Sequence, residues 1–191
     1  VPIWAQAVLQ IPLWGGYLGM VVWAGRKGRG VVADFGLAVR PVDALIGIPA
    51  GIALQLVVLP VLYVPILWLT GQTDDDLAAP ARALADKAHS SWEWVVFALI
   101  VVVGAPIVEE LFFRGLFLRS LQKRGLSDWW ACVMCAAVFA AVHLQPLQFA
   151  GLFVAGLAFS WLAVATGRLG PSILTHMGFN AVTFVVLYLT V

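Results

Sequence analysis

The sequence predicts an all-α fold, a polytopic bundle of transmembrane helices, and two observations support this prediction. First, 62% of the 191 residues are hydrophobic and only 11% are charged, with a mean hydropathy of +0.97. Soluble domains have about 25% charged residues, so this composition excludes them. Second, several apolar stretches approach roughly 20 residues, the length that crosses a bilayer as a helix. Because we find no repeat, low-complexity tract or linker, we expect a single domain over residues 1–191.

Six stretches are predicted to span the membrane, in the order 3–24, 44–69, 94–118, 129–144, 146–166 and 171–191. The first has no basic leader and no small-residue cleavage site, so we interpret it as a spanning helix and not as a signal peptide. The fourth is the shortest. Since Gln145-Pro146 follows it directly, we expect the fourth and fifth spans to form a tight antiparallel hairpin.

Loop charges predict the orientation of the bundle. Eight of the 11 basic residues lie in the loops after the first, third and fifth spans, whereas residues 71–93 contain five acidic residues. Basic loops face the cytoplasm by the positive-inside rule, so the start of the sequence is expected outside. The apolar periodicity of residues 77–88 predicts a short amphipathic helix on the outer surface. The pairs Gly15/Gly19 and Gly47/Gly51 would allow close helix packing.

Two adjacent carboxylates interrupt the apolar third span. Glu109 and Glu110 follow the run VVVGAPIV, and Arg114 lies four residues after Glu110, on the same helix face and within reach of a salt bridge. A charge deep in hydrocarbon costs roughly 2.5–3.5 kcal/mol, so it indicates a functional site. Glu109 points about 100° away from the ion pair, and the two carboxylates therefore have different environments. A purely structural Glu110–Arg114 pair is the alternative.

Three more polar residues lie where hydrocarbon is expected. His143 is near the end of the fourth span, and His176 and Asn180 share one face of the sixth. Helix lengths place these groups and the carboxylates at compatible depths, between the cytoplasmic half and the middle of the bilayer. We therefore predict one site made by three helices. Each residue taken alone would fit a structural role, as a buried core histidine or as an amide joining two helices.

The three motifs together resemble those of a known family. They are EExxxR beginning at Glu109, FxxxH ending at His143 and HxxxN beginning at His176. Their order and spacing resemble the CPBP family, the CAAX proteases and bacteriocin-processing enzymes also called Abi proteins. The resemblance covers residues 94–191. It implies an intramembrane glutamate-type endopeptidase that hydrolyses a peptide bond of a prenylated CAAX-type or other membrane-associated substrate.

The resemblance also implies a role for each motif. Glu109 would be the general base that activates water, assisted by His143, while Glu110 and Arg114 would orient it and balance its charge. The third motif would donate hydrogen bonds to the oxyanion. The implied partners are a peptide or protein substrate, possibly prenylated, and the lipid bilayer, with no nucleic acid, no metal and no cofactor. The implied location is the plasma membrane of a bacterium, with the site reached from the cytoplasmic half.

Other functions remain open from the sequence alone. Glu109, His143 and His176 would also suit a zinc-dependent intramembrane protease. A non-catalytic scaffold or immunity protein of the same fold is a further alternative, and so is a proton-coupled transporter, because intramembrane Glu and His also form relays. Cys132 and Cys135 have the spacing of a redox or zinc motif, but they lie among apolar residues. We therefore expect them to be small buried core residues.

Overall fold

The computed structural model describes residues 3–190, and over these residues it contains eight helices and no strand. This confirms the predicted all-α fold. The helices are α1 Ile3–Arg26, α2 Val31–Phe35, α3 Pro41–Thr70, α4 Asp74–Ala85, α5 Ser91–Lys123, α6 Asp128–Val142, α7 Phe149–Thr166 and α8 Gly170–Thr190.

Five of these helices, α1, α3, α5, α7 and α8, are long and apolar enough to cross a membrane, so the chain is an integral membrane protein. The prediction of six full spans is wrong for the fourth. Helix α6 has 15 residues, which is about 22 Å of helix against a hydrocarbon core of about 30 Å. It ends early because Leu144 adopts a left-handed conformation with φ of 54°. The predicted antiparallel packing of α6 and α7 is present.

The predicted amphipathic helix is α4. Thr73 caps its start, since the Thr73 hydroxyl accepts a hydrogen bond from Asp76 N at 3.3 Å and the Asp76 carboxylate accepts one from Thr73 N at 2.8 Å. Its apolar face, which includes Ala85, packs against Phe97 of α5 and Leu187 of α8. Helix α4 therefore covers one end of the bundle.

Glycines allow α3 to cross closely over α8. A Cβ atom on Gly51 would lie 2.1 Å from the carbonyl oxygen of Thr175 and 2.6 Å from the backbone nitrogen of Phe179, so no side chain fits there. The predicted close approach is thus confirmed at Gly47/Gly51. Gly19 has no atom within 4 Å of a built Cβ, and the same prediction is wrong for the pair in α1.

We expect Gly51→Ala to lower the free energy of unfolding by about 1–3 kcal/mol, because the added methyl group meets backbone atoms and must separate two helices. The measurement is reversible unfolding in mixed micelles. Gly19→Ala is the matched control, and it should leave stability unchanged or raise it by up to about 1 kcal/mol. Equal effects of the two substitutions would contradict the assigned crossing.

Two contacts from the first half of the chain hold the segments that carry the predicted site. Asp43, at the start of α3, is buried and forms an ion pair with Arg168, just before α8. The buried Tyr63 of α3 donates from its hydroxyl to the carbonyl oxygen of Leu147 at 3.2 Å and accepts from Gly151 N at 3.0 Å. Helix α3 thereby fixes the start of α8 and the loop between α6 and α7.

Candidate active site

The adjacent carboxylates lie on a short α-helical stretch of α5 between two π-helical stretches, Leu99–Gly104 and Leu111–Leu118. π-Helical turns are rare and occur frequently at functional sites. Each one changes the angle between successive side chains, so the faces of α5 differ from those of a regular helix. Glu109 and Glu110 are neighbours on the α-helical stretch, so they point about 100° apart and face different surroundings, as the sequence predicted.

Glu110 is completely buried and accepts three hydrogen bonds. Arg114 Nη1 donates to Oε1 at 2.8 Å, His176 Nδ1 lies 3.0 Å from the same oxygen, and the Ser172 hydroxyl donates to Oε2 at 2.5 Å. A charge buried this deeply is tolerated only when it is paired and hydrogen-bonded. The predicted Glu110–Arg114 ion pair is present, and it is linked directly to α8.

Arg114 is also completely buried, and each of its nitrogen atoms has a partner. Besides Glu110, it donates from Nε to the Ser160 hydroxyl at 3.2 Å and from Nη2 to the Gly156 carbonyl at 3.0 Å. Its guanidinium carbon lies 4.5 Å from the centre of the Phe139 ring, a cation–π contact. Arg114 thus joins α5, α6 and α7.

His176 lies between the two carboxylates. Because an ionised carboxylate can only accept hydrogen bonds, the contact with Glu110 assigns a proton to His176 Nδ1. Its Nε2 faces Glu109 Oε2 at 3.9 Å, which is beyond direct hydrogen bonding and suits a bridging water or substrate atom. The Phe159 ring stacks on the imidazole at 4.6 Å and fixes its plane.

Glu109 keeps some accessible surface, since 19% of its side chain is exposed whereas Glu110 has none. It has no hydrogen-bond partner within the described residues 3–190. Of the two carboxylates, only Glu109 is therefore able to accept a hydrogen bond from an incoming molecule.

His143 directly follows Val142, the last residue of α6. Its Nδ1 lies 2.7 Å from the carbonyl oxygen of Phe139, so Nδ1 carries a proton and Nε2 is the acceptor of the neutral ring. The Phe139 ring touches both imidazoles, at 4.7 Å from His143 and 5.9 Å from His176. The two predicted histidines are brought together around one aromatic side chain.

Asn180 lies one turn after His176, and its Nδ2 donates to the Val101 carbonyl at 2.8 Å. Val101 belongs to a π-helical stretch of α5. One amide hydrogen of Asn180 is thus occupied by the helix that carries the carboxylates, and the second hydrogen is the one available to a substrate.

A zinc site was one of the alternatives that the sequence left open. Within residues 3–190, no group of three or more His, Cys, Asp or Glu side chains is arranged to hold a metal ion. Cys132 and Cys135 are buried core residues, as predicted, and the Cys135 thiol donates to the Phe113 carbonyl at 3.3 Å.

Sequence reasoning missed Ser160 and Ser172, the two buried hydroxyl groups that complete the site. The sequence contains one signal for Ser172, because it lies four residues before His176 and hence on the same face of α8. Nothing local distinguishes Ser160, which faces Arg114 only because α7 packs against α5.

We expect Ser172→Ala to cost about 1–3 kcal/mol of stability, because Glu110 Oε2 then remains buried without a donor. Thermal or denaturant unfolding in micelles would measure this loss. Ser120→Ala is the control, since the Ser120 hydroxyl bonds only to the Leu116 carbonyl of its own helix, and it should change stability by no more than about 0.5 kcal/mol. A neutral Ser172→Ala would contradict the hydrogen bond to Glu110.

Comparison with known proteins agrees with these motifs. Residues 91–182 match the model of a family described as type II CAAX prenyl endopeptidase Rce1-like. This segment belongs to the Rce1-like family. The match confirms the resemblance drawn from the motifs, and the Rce1-like segment contains all six predicted site residues.

A protein of Escherichia coli described as an uncharacterized 24.3 kDa protein is 32% identical over 108 residues, which cover 53% of this chain and 50% of that relative. The match thus spans about half the length of the curated relative. No solved structure matches the chain.

Proposed function

We propose that this protein is an intramembrane glutamic endopeptidase that hydrolyses a peptide bond of a membrane-associated substrate. The observation that supports it is the contrast between two neighbouring carboxylates, one fully paired and one unpaired, beside two histidines. Glu109 is largely buried, and its contact with His176 Nε2 at 3.9 Å is too long for a direct hydrogen bond, so it is available as a base, while its paired neighbour holds the surrounding groups in place.

In the proposed reaction, Glu109 accepts a proton from a water molecule whose oxygen attacks the carbonyl carbon of the substrate. His143 assists through Nε2, the acceptor atom that its bond to the Phe139 carbonyl selects. The tetrahedral intermediate then breaks its C–N bond, and the proton held by Glu109 is given to the leaving amine. The peptide bond is replaced by a carboxylic acid and an amine, with no other reactant.

The oxyanion of that intermediate needs donors. The second amide hydrogen of Asn180 is one, and Nε2 of His176 is another when that ring carries two protons. In that state the charges of Glu109, Glu110, Arg114 and His176 sum to zero, which suits a buried cluster. Donors fixed in a dry site are worth more than the same groups in water.

The substrate we propose is a prenylated CAAX-type peptide or another membrane-associated peptide or protein. We further propose that the enzyme lies in the plasma membrane of a bacterium and acts from the cytoplasmic half. In support, His176 lies in the second turn of α8, shortly after the loop that carries Arg168, on the side that the loop charges assign to the cytoplasm.

The test is cleavage of an internally quenched peptide library, prenylated and unprenylated, by the protein in nanodiscs. We expect cleavage that persists after metal chelation. If a folded preparation cleaves neither set, the proposed activity is wrong. If chelation removes activity and one metal ion restores it, the glutamate mechanism is wrong.

A further inference from the structure

Helix α1 packs along α5 at the level of Glu109. The Trp14 ring lies so close to Gly104 that a Cβ atom on this glycine would collide with it. Further along both helices, the Tyr17 ring stacks on the Phe112 ring with their centroids 4.2 Å apart. Trp14 therefore meets α5 before Glu109 and Tyr17 meets it after, so the two helices run in the same direction. The short α-helical stretch that carries Glu109 itself contacts α1.

The Tyr17 side chain is directed toward Glu109. Side chains of an α-helix lean toward its N-terminus. Because α1 and α5 are parallel, the phenol extends from the level of Phe112 back toward the turn that carries Glu109. In agreement with this direction, Glu109 is the charged group whose field acts on the Tyr17 hydroxyl. The hydroxyl and the carboxylate thus lie on one side of the candidate active site.

The Tyr17 hydroxyl is open to an incoming molecule. It forms no hydrogen bond with another group of residues 3–190. The two side-chain polar atoms that these residues seal from solvent without a partner are Asp43 Oδ1 and Gln55 Oε1. Since the Tyr17 oxygen is not one of them, it keeps accessible surface. A polar group in a membrane helix is costly without a hydrogen bond, so we expect a water molecule or a substrate atom at this hydroxyl.

Packing alone does not explain a tyrosine at this position. The ring stacks on Phe112 and meets Phe113 edge-on at 5.7 Å, and a phenylalanine would make the same ring contacts. Tyr17 lies nine residues before Arg26, the last residue of α1, which is about 14 Å along the helix. This is deeper than the interfacial belt in which tyrosines are enriched. The hydroxyl group therefore needs a role of its own.

The two oxygen atoms of Glu109 have different neighbours. Oε2 faces His176 Nε2 at 3.9 Å, on the side where the proposed reaction takes place. Oε1 has no donor among the groups of the described chain. The last torsion angle of a glutamate is soft, so a carboxylate without a hydrogen bond can rotate. A donor to Oε1 would fix the plane of the carboxylate and keep Oε2 directed at the imidazole.

We propose that Tyr17 is a positioning residue for Glu109. Its hydroxyl donates a hydrogen bond to one water molecule, and that water donates to Oε1 of Glu109. Resting on the proposed function, this bridge holds the general base in the orientation in which Oε2 takes a proton from the attacking water. Helix α1 lies outside the segment that matches the Rce1-like family, so the family match assigns no role to Tyr17.

The kinetic test is Tyr17→Phe, which keeps the ring contacts and removes only the hydroxyl. We expect kcat for cleavage of a quenched peptide to fall about three- to tenfold, the value of one hydrogen bond. KM and the melting temperature should keep their wild-type values, because the hydroxyl takes no part in substrate binding or in ring packing. A wild-type kcat for Tyr17→Phe, or a change confined to KM, would overturn the proposal.

Tyr188→Phe is the matched control. The Tyr188 side chain is exposed, and its ring packs edge-on against Trp94 near the start of α5. This substitution also removes a hydroxyl and keeps the ring, but far from Glu109 along α5. It should leave kcat at the wild-type value. An equal loss of kcat in Tyr17→Phe and Tyr188→Phe would contradict a specific role for Tyr17.

A second measurement does not depend on turnover. The sequence contains three tyrosines, Tyr17, Tyr63 and Tyr188, and all three can be replaced by 3-fluorotyrosine, whose fluorine lies beside the hydroxyl. In fluorine NMR spectra of the protein in nanodiscs, Glu109→Gln should shift the Tyr17 signal, because it removes the charge at the other end of the water bridge. The other two signals should stay in place. An unmoved Tyr17 signal would overturn the proposal.

The two proposals fail in different ways. Wild-type cleavage by Tyr17→Phe, together with an unmoved Tyr17 signal, would reject the role of Tyr17 and leave the endopeptidase standing. A Tyr17 signal that responds to Glu109→Gln, in a protein that cleaves no peptide, would reject the endopeptidase and keep the contact between the two side chains.

Discussion

Replacing Glu109 by glutamine is expected to lower kcat for peptide hydrolysis by about 10²–10⁴-fold, the contribution of a general base. Glutamine has nearly the same shape, but it cannot take a proton from water. The buried Glu110–Arg114 pair does not involve Glu109, so the variant should insert and fold normally. Hydrolysis rates measured on equal amounts of folded protein in nanodiscs would test this expectation.

The chain offers a matched control in Glu93, the remaining glutamate. Glu93 accepts hydrogen bonds from His89 N and the Ser90 hydroxyl at the start of α5, and glutamine can accept the same bonds. Glu93→Gln should therefore keep wild-type kcat. Wild-type-like hydrolysis by Glu109→Gln would remove Glu109 from the mechanism, and full activity of His143→Ala would remove its assisting role.

Replacing Arg114 by methionine is expected to cost about 3–5 kcal/mol of stability, the largest structural effect we anticipate. The substitution leaves the Glu110 carboxylate fully buried without its cation, and it also removes donors to Ser160 and to the Gly156 carbonyl. Reversible unfolding in mixed micelles would measure the loss.

The control is another arginine–carboxylate ion pair of this protein, one that is exposed to water. Arg82 donates to Asp75 at 2.6 Å, with side chains 44% and 78% exposed, and Arg82→Met should cost no more than about 1 kcal/mol. A double substitution, Glu110→Leu with Arg114→Met, should recover much of the lost stability, because no unpaired charge remains. Catalysis should not recover with it. Equal costs for Arg114→Met and Arg82→Met would contradict the assigned buried network.

The ion pair of the candidate site could be predicted from the sequence, whereas the hydroxyl groups that support it could not. Spacing of four residues was enough to predict the Glu110–Arg114 pair, because both partners lie on one helix and the local geometry is nearly fixed. Ser160 and Ser172 reach the same network from α7 and α8. No local sequence pattern determines which face each of these helices turns toward α5. Asn180 shows the same limit, since its partner is a carbonyl in a π-helical stretch of α5.

Helix lengths were predicted well where hydrophobicity alone sets them, and less well in α6. There the apolar run continues to Leu144, but the backbone leaves the helix after Val142. Hydropathy measures whether a residue tolerates lipid. It does not measure whether tertiary contacts bend the chain.

The hydroxyl of Tyr63 connects a helix outside the segment that matches the Rce1-like family with a loop and a helix inside that segment. It ties α3 to the loop that follows His143 and to the first turn of α7, yet α3 lies outside the segment that matches the Rce1-like family. The six candidate site residues lie inside that segment, whereas the helix that holds the loop beside His143 lies outside it. Changes in α3 would therefore shift the loop that follows His143 while leaving every candidate site residue unchanged.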